Sequence, residues 1–108
     1  MAEIIWTEPA LADLDAIADY IALDCPQAAR RLVQRVFRHV GQLADYPKSG
    51  SKPHELRGWR YRQIVEPPCR VLYRVENERV FVLAVVRAER RLRTAGLRER
   101  EKKPRKPK

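Results

Sequence analysis

The chain has 108 residues, 44% of them hydrophobic and 34% charged, and a formal net charge of +9. That length carries a single core with one sheet and two or three helices, and the balance of residue types excludes a disordered chain. No run approaches the roughly 18 apolar residues that a bilayer crossing requires.

In chain order, EIIW at residues 3–6 has the content of a short strand. Thr7-Glu8-Pro9 then supplies a cap, a first-turn acid and a proline where a missing N–H costs nothing. Leu11, Leu14, Ile17, Ala18 and Ile21 recur at helical spacing, with Asp13, Asp15 and Asp19 mostly off that stripe as an acidic outer face. Asp24-Cys25-Pro26 breaks the pattern and restarts it, which predicts an αα-hairpin. The second pattern, Ala29, Leu32, Val33, Val36, Phe37, Val40, Leu43 and Ala44, runs towards Pro47, with Arg30, Arg31, Arg35 and Arg38 outward.

PKSGSKP, residues 47–53, reads as a turn-rich loop whose lysines can touch a phosphate or stay solvated. From there the period changes to two. Tyr61–Val65, Arg70–Val75 and Arg79–Val86 predict an antiparallel meander, with Glu76-Asn77-Glu78 as a short link. In VEPPCRVLYR the two prolines end one ladder before Arg70 opens the next. VFVLAVV is apolar on both alternating sets and belongs in the sheet interior. The fold expected is α+β, βααβββ, with an N-terminal strand, a helical hairpin packed on an antiparallel sheet, and a short C-terminal helix that fades at Gly96. Residues 1–97 form one domain; residues 98–108, rich in Lys and Arg, read as a disordered basic tail able to act as a nonspecific nucleic-acid arm.

Charge is segregated. Residues 1–46 hold 4 Lys+Arg against 7 Asp+Glu, residues 47–97 hold 12 against 5, and residues 98–108 hold 7 against 2. The second half therefore calls for an anionic partner. Arginine dominates it, and arginine binds phosphates and carboxylates bidentately but is a poor base. Alternation sends Arg60 and Arg62 to one face, with Arg70 and Arg74 at matched positions on the next strand if the register allows. The expectation is one exposed arginine face; pairing of each arginine to a local acid such as Glu66, Glu76 or Glu89 is the alternative.

Cys25 and Cys69 form no CxxC pair and have no zinc-like spacing, so two free, partly buried thiols are expected, with no metal and no cofactor. The acidic amino terminus lacks the cations of a secretory signal, which points to the cytoplasm and away from a membrane partner.

WTEPALADLDAIADYI, then ELRGWRYRQIV, CRVLYRV and VFVLAVVRAERR, resembles the RelE/ParE superfamily of toxins from bacterial type II toxin–antitoxin modules, over residues 3 to 93. The resemblance implies a toxin neutralised by a cognate antitoxin. It implies two targets: DNA gyrase for ParE-like members, or ribosome-bound mRNA, cut by RelE-like members. The ribonuclease branch places a His or Tyr after the last strand, whereas residues 87–93 here are RAERRLR. Arg70 and Arg90 match cationic positions of the family pattern, and Arg87 stands where many relatives carry His. Gyrase inhibition without enzymatic activity is the leading reading, with Arg60, Arg62, Arg70, Arg74, Arg87, Arg90 and Arg91 as target or partner contacts and DNA met only weakly or through the antitoxin. The alternative is a ribosome-dependent endoribonuclease using Arg70, Arg90, Lys52, His54 and Tyr61, with Lys48, Glu55 and Tyr73 as further proton-transfer candidates.

Overall fold

The computed structural model describes residues 1–56 and 58–101. Strand β1 (Glu3–Trp6) leads into helix α1 (Glu8–Ala22), helix α2 (Pro26–Gly41), strands β2 (Tyr61–Glu66), β3 (Cys69–Glu76) and β4 (Arg79–Arg87), and helix α3 (Thr94–Glu101). The βααβββ order with a closing helix is the one expected. The sheet order is β1-β4-β3-β2, with β1 parallel to β4 and the other pairs antiparallel.

Thr7 shows why the chain turns from strand to helix where it does. Its hydroxyl accepts from the Ala10 amide at 3.3 Å, capping α1, and donates to the Val82 carbonyl at 2.8 Å, which ties the cap to the middle of β4. Pro26 opens α2 at its first turn, and the helix closes at Gly41 into a tight turn over Gln42–Ala44.

Two apolar clusters lie on opposite faces of the sheet. Between helices and sheet, Leu14, Leu32, Val36 and Val40 meet Ile64, Val71, Tyr73, Val82 and Val85. On the far face, Leu72, Leu83, Ala84 and Val86 pack with Leu56, Tyr61 and Leu97. The register skips one residue between Leu72, paired with Ala84, and Tyr73, paired with Val82, which leaves Leu83 as a bulge. The bulge resets the alternation of β4, so consecutive Leu83 and Ala84 both serve the far cluster. That is how VFVLAVV fills both faces.

Pro67 and Pro68 form the two-residue turn between β2 and β3, joined by a cis peptide bond. Asn77, at φ 57°, turns β3 into β4. The 47–53 loop is less solvated than its composition suggests: Ser51 bridges to Gln63 on the outer edge of β2, and Gly50 is buried beneath it.

Three expectations are corrected. The last helix starts at Thr94, runs through Gly96 and reaches Glu101, so the tail boundary at residue 98 falls inside it; residues 102–108 of the expected tail lie outside the described residues. Cys25 is exposed rather than partly buried, while Cys69 is buried, which pushes its thiol up; both are free. Asp13 does not belong to the outer face of α1, because its carboxylate reaches β4 and accepts from the Val85 amide at 3.0 Å.

Candidate functional site: the far face of the sheet and the exit from β4

Strand alternation places Arg70, Leu72 and Arg74 on the face away from the helical hairpin, as their sequence spacing requires. That face is not open. Arg70 is buried, and its guanidinium is gripped from three directions. Nη1 donates to Glu55 Oε1 at 3.1 Å and to Gln63 Oε1 at 2.9 Å; Nη2 donates to Glu55 Oε2 at 2.7 Å and to the Arg90 carbonyl. Glu55 Oε2 also accepts from the Leu92 amide at 3.2 Å. The Arg70 hydrogen bonds hold the Glu55 carboxyl down at about 2, against the opposing effect of burial. Both oxygens of Glu55 are thus engaged by donors, and its carboxylate is held ionised. The bidentate pair is a girder joining the 54–56 turn, β3 and the segment after β4.

Arg74 is buried by a second device, the last turn of α3. Glu101 lies in a cradle of three side chains: Arg74 Nε forms a close ion pair with Oε1, Arg60 Nη2 donates to Oε1 at 3.0 Å, and the Tyr61 hydroxyl donates to Oε2 at 2.5 Å. Arg74 also donates to Glu76 at 2.7 Å and stacks its guanidinium 4.3 Å above the Phe81 ring. Burial together with the adjacent Glu101 raises the Tyr61 hydroxyl to about 12. A phenol so placed neither gives up its proton near neutrality nor meets solvent. One residue earlier, Arg100 chelates Asp13 of α1 at 2.5 and 3.1 Å and donates to the carbonyl of the bulged Leu83 at 2.9 Å.

The expectation of a single exposed arginine face is therefore corrected. Arg70 and Arg74 are internal. Arg62 lies on the opposite face, because the register pairs it with Tyr73, and it donates to the Lys48 and Gly50 carbonyls at 3.2 and 2.8 Å. Arg60 precedes β2 and is drawn to Glu101. The acids responsible, Glu55 and Glu101, lie 15 residues before and 27 after the arginines they bind, so no local pattern announced them. Among the described residues local pairing holds for Arg74 with Glu76 and for Arg87 with Glu89 at 3.4 Å.

Arg87, Arg90, Arg91 and Arg93 remain exposed. Arg87 ends β4, and the other three lie on the short link between β4 and α3, whose backbone Arg70 and Glu55 hold in place. Arg90, Arg91, Arg93 and Arg100 rim a recess of about 250 Å³ with Leu92 and Leu97 inside it. An apolar floor under several cations suits an anionic or amphipathic ligand. Lys52 and His54 are also exposed, on the loop before Glu55.

The family profile described as the ParE toxin of the type II toxin–antitoxin system parDE matches residues 4–92. The chain belongs to the ParE toxin family. Toxin RelE2 of Caulobacter vibrioides is 37% identical over 91 residues, covering 83% of this chain and 99% of that relative. A solved structure titled "Chromosomal ParDE TA system from P. aeruginosa" superposes with a TM-score of 0.68 at 32% identity, over 82% of this chain and 98% of that one. This protein is thus a RelE/ParE-superfamily toxin. In this ParE-family chain the profile ends at residue 92, so α3 and the cradle-filling Glu101 lie beyond the matched segment.

Proposed function

We propose that this toxin acts by binding DNA gyrase and is neutralised by a cognate antitoxin. The observation that carries the reading is the chemistry of the recess after β4. Among its described lining residues the polar side chains are all arginines, with no His, Glu or Tyr. Cleavage through a ribose 2′-hydroxyl needs a proton acceptor and a donor to the leaving oxygen, and an arginine serves as neither at neutral pH. Four guanidinium groups gathered around a braced link and the helix after it are suited to holding an acidic surface. In this reading Arg87, Arg90 and Arg91 make the contact, and Arg70 and Arg74 act as positioning residues beneath them. The solved ParDE system among its structural likenesses supports a partner antitoxin.

A second reading, ribosome-dependent cleavage of mRNA, is favoured by the name of the relative RelE2 and by Lys52 and His54 standing exposed next to the Arg70–Glu55 pair. Purified toxin added to gyrase and relaxed plasmid tests the first reading, with loss of supercoiling as the expected result. Primer extension on ribosome-bound message tests the second: new 5′ ends in the presence of toxin, with gyrase unaffected, would replace the first reading.

A further inference from the structure

The two helices of the hairpin carry opposite charge. Helix α1 bears Glu8, Asp13, Asp15 and Asp19 and no base; α2 bears Arg30, Arg31, Arg35 and Arg38 and no acid. At 100° per residue, Gln27, Arg31, Gln34, Arg35, Arg38 and Gln42 fall on one stripe running the length of α2 and into the turn that follows. That stripe holds only arginine and glutamine. Its opposite side, Ala29, Leu32, Val36 and Val40, is buried in the core.

We propose that this stripe is a docking surface for the phosphate backbone of double-stranded DNA. Arg31 and Arg38 are exposed and have no acidic partner among the described residues. Between them Arg35 is braced: its Nε donates to Glu66 Oε2 and its Nη2 to the Pro67 carbonyl, each at 3.2 Å. The other Glu66 oxygen lies 3.2 Å from His39 Nδ1. Glu66 thus fixes Arg35 and His39 on the wall of a recess of about 230 Å³ whose remaining rim is Arg38 and Gln42. From Arg31 to Arg35 to Arg38 the helix rises by about 6 and then about 4.5 Å. Guanidinium groups so spaced can follow successive phosphates along one strand.

The residue types select the partner. A protein interface concentrates its binding energy in a desolvated apolar or aromatic centre, and this stripe has none. Single-stranded nucleic acid is held by aromatic platforms, also missing from the stripe. Arginine and glutamine with a braced rim are the donor set of backbone contacts, which position a duplex without reading its bases. Binding here is sequence-independent and direct, separate from the recess after β4 and from the antitoxin.

The test uses the full chain, a fluorescein-labelled 20-base-pair duplex of arbitrary sequence, and anisotropy titrations from low to moderate salt. R31Q/R38Q removes two phosphate contacts, so the slope of log K against log salt falls by about 2 and affinity drops about tenfold at low salt. Both chains carry the same basic C-terminus, which cancels in the comparison. R87Q/R91Q, on the other basic surface, keeps the wild-type slope. An unchanged slope in R31Q/R38Q overturns the proposal, as does unchanged DNA affinity with weakened antitoxin capture. In wild-type protein, p-hydroxyphenylglyoxal footprinting supplies a measurement that needs no variant: duplex DNA protects Arg31 and Arg38, and equal labelling with and without DNA contradicts the inference.

Discussion

Arg70 on β3 and Glu55 in the turn before β2 meet through two parallel hydrogen bonds, at 2.7 and 3.1 Å, in a site where the arginine side chain is only 9% exposed. Because Arg70 also holds the Arg90 carbonyl and Glu55 the Leu92 amide, the pair sets the path of the link that displays Arg90 and Arg91. Removing the acid leaves a buried cation unpaired, so Glu55→Gln destabilises the fold by about 3 kcal/mol. Arg70→Lys keeps the charge but loses the fork and falls between wild type and Glu55→Gln. Urea titrations of the three proteins give the order.

The same pair fixes the sign of an acid dependence. Glu55 titrates at about 2 in the folded chain against 4.5 ordinarily, and Arg74 in the same way holds Glu76 below its usual range. A carboxylate with a depressed folded pKa contributes stability that is complete above about pH 4.5 and is lost as pH falls towards 2. Thermal melts therefore decline across that window in the wild type. In Glu55→Gln the decline is shallower, because one of the linked protons is gone.

 Arg74 donates to Glu76 at 2.7 Å. Glu76 is exposed, so its share of the acid dependence is small.

Tyr61 reports on α3. Its hydroxyl stands at about 12 because burial and Glu101 both disfavour the phenolate. Glu101→Gln removes the neighbouring charge and loosens the last turn of α3, so Tyr61 titrates at lower pH. Ultraviolet difference titration against a Tyr61→Phe control isolates that signal. Hydrogen exchange in residues 94–101 quickens in Glu101→Gln, while α1 and α2 keep wild-type protection.

Gly50 is a position where a methyl group has no room. A Cβ there would lie 2.5 Å from both the Gln63 carbonyl oxygen and the Tyr73 hydroxyl, and the Gly50 amide donates to that hydroxyl at 2.9 Å. Gly50→Ala forces the 47–53 loop off the edge of β2 and costs about 2 kcal/mol. Denaturant melts read the loss, with Gly41→Ala, where a Cβ meets nothing within 4 Å, as the comparison.

The elements of the fold were legible because each has a local cause: Thr7 and Pro9 start α1, Pro26 starts α2, and the apolar period switches from helical to alternating before Tyr61. Alternation along β3 also puts Arg70 and Arg74 on one shared face. What covers that face was not legible. Glu55 and Glu101 are ordinary acids in sequence, and only the tertiary path of the chain brings them onto Arg70 and Arg74. Arg62 was assigned to the wrong face because the side on which β2 presents it depends on pairing with Tyr73 across the Pro67-Pro68 turn. Asp13, spaced like a surface residue, became a ligand for Arg100 at a separation of 87 residues.

The central claim is that exposed arginines after β4 bind a target instead of assisting RNA cleavage. Gyrase supercoiling measured with wild-type toxin and with R87Q/R91Q tests it most directly. The account predicts that the wild type blocks supercoiling and that the double variant, folded to the same melting temperature, does so at least tenfold less well. Undiminished inhibition by R87Q/R91Q, or full gyrase activity alongside cleavage of ribosome-bound message by the wild type, would contradict it.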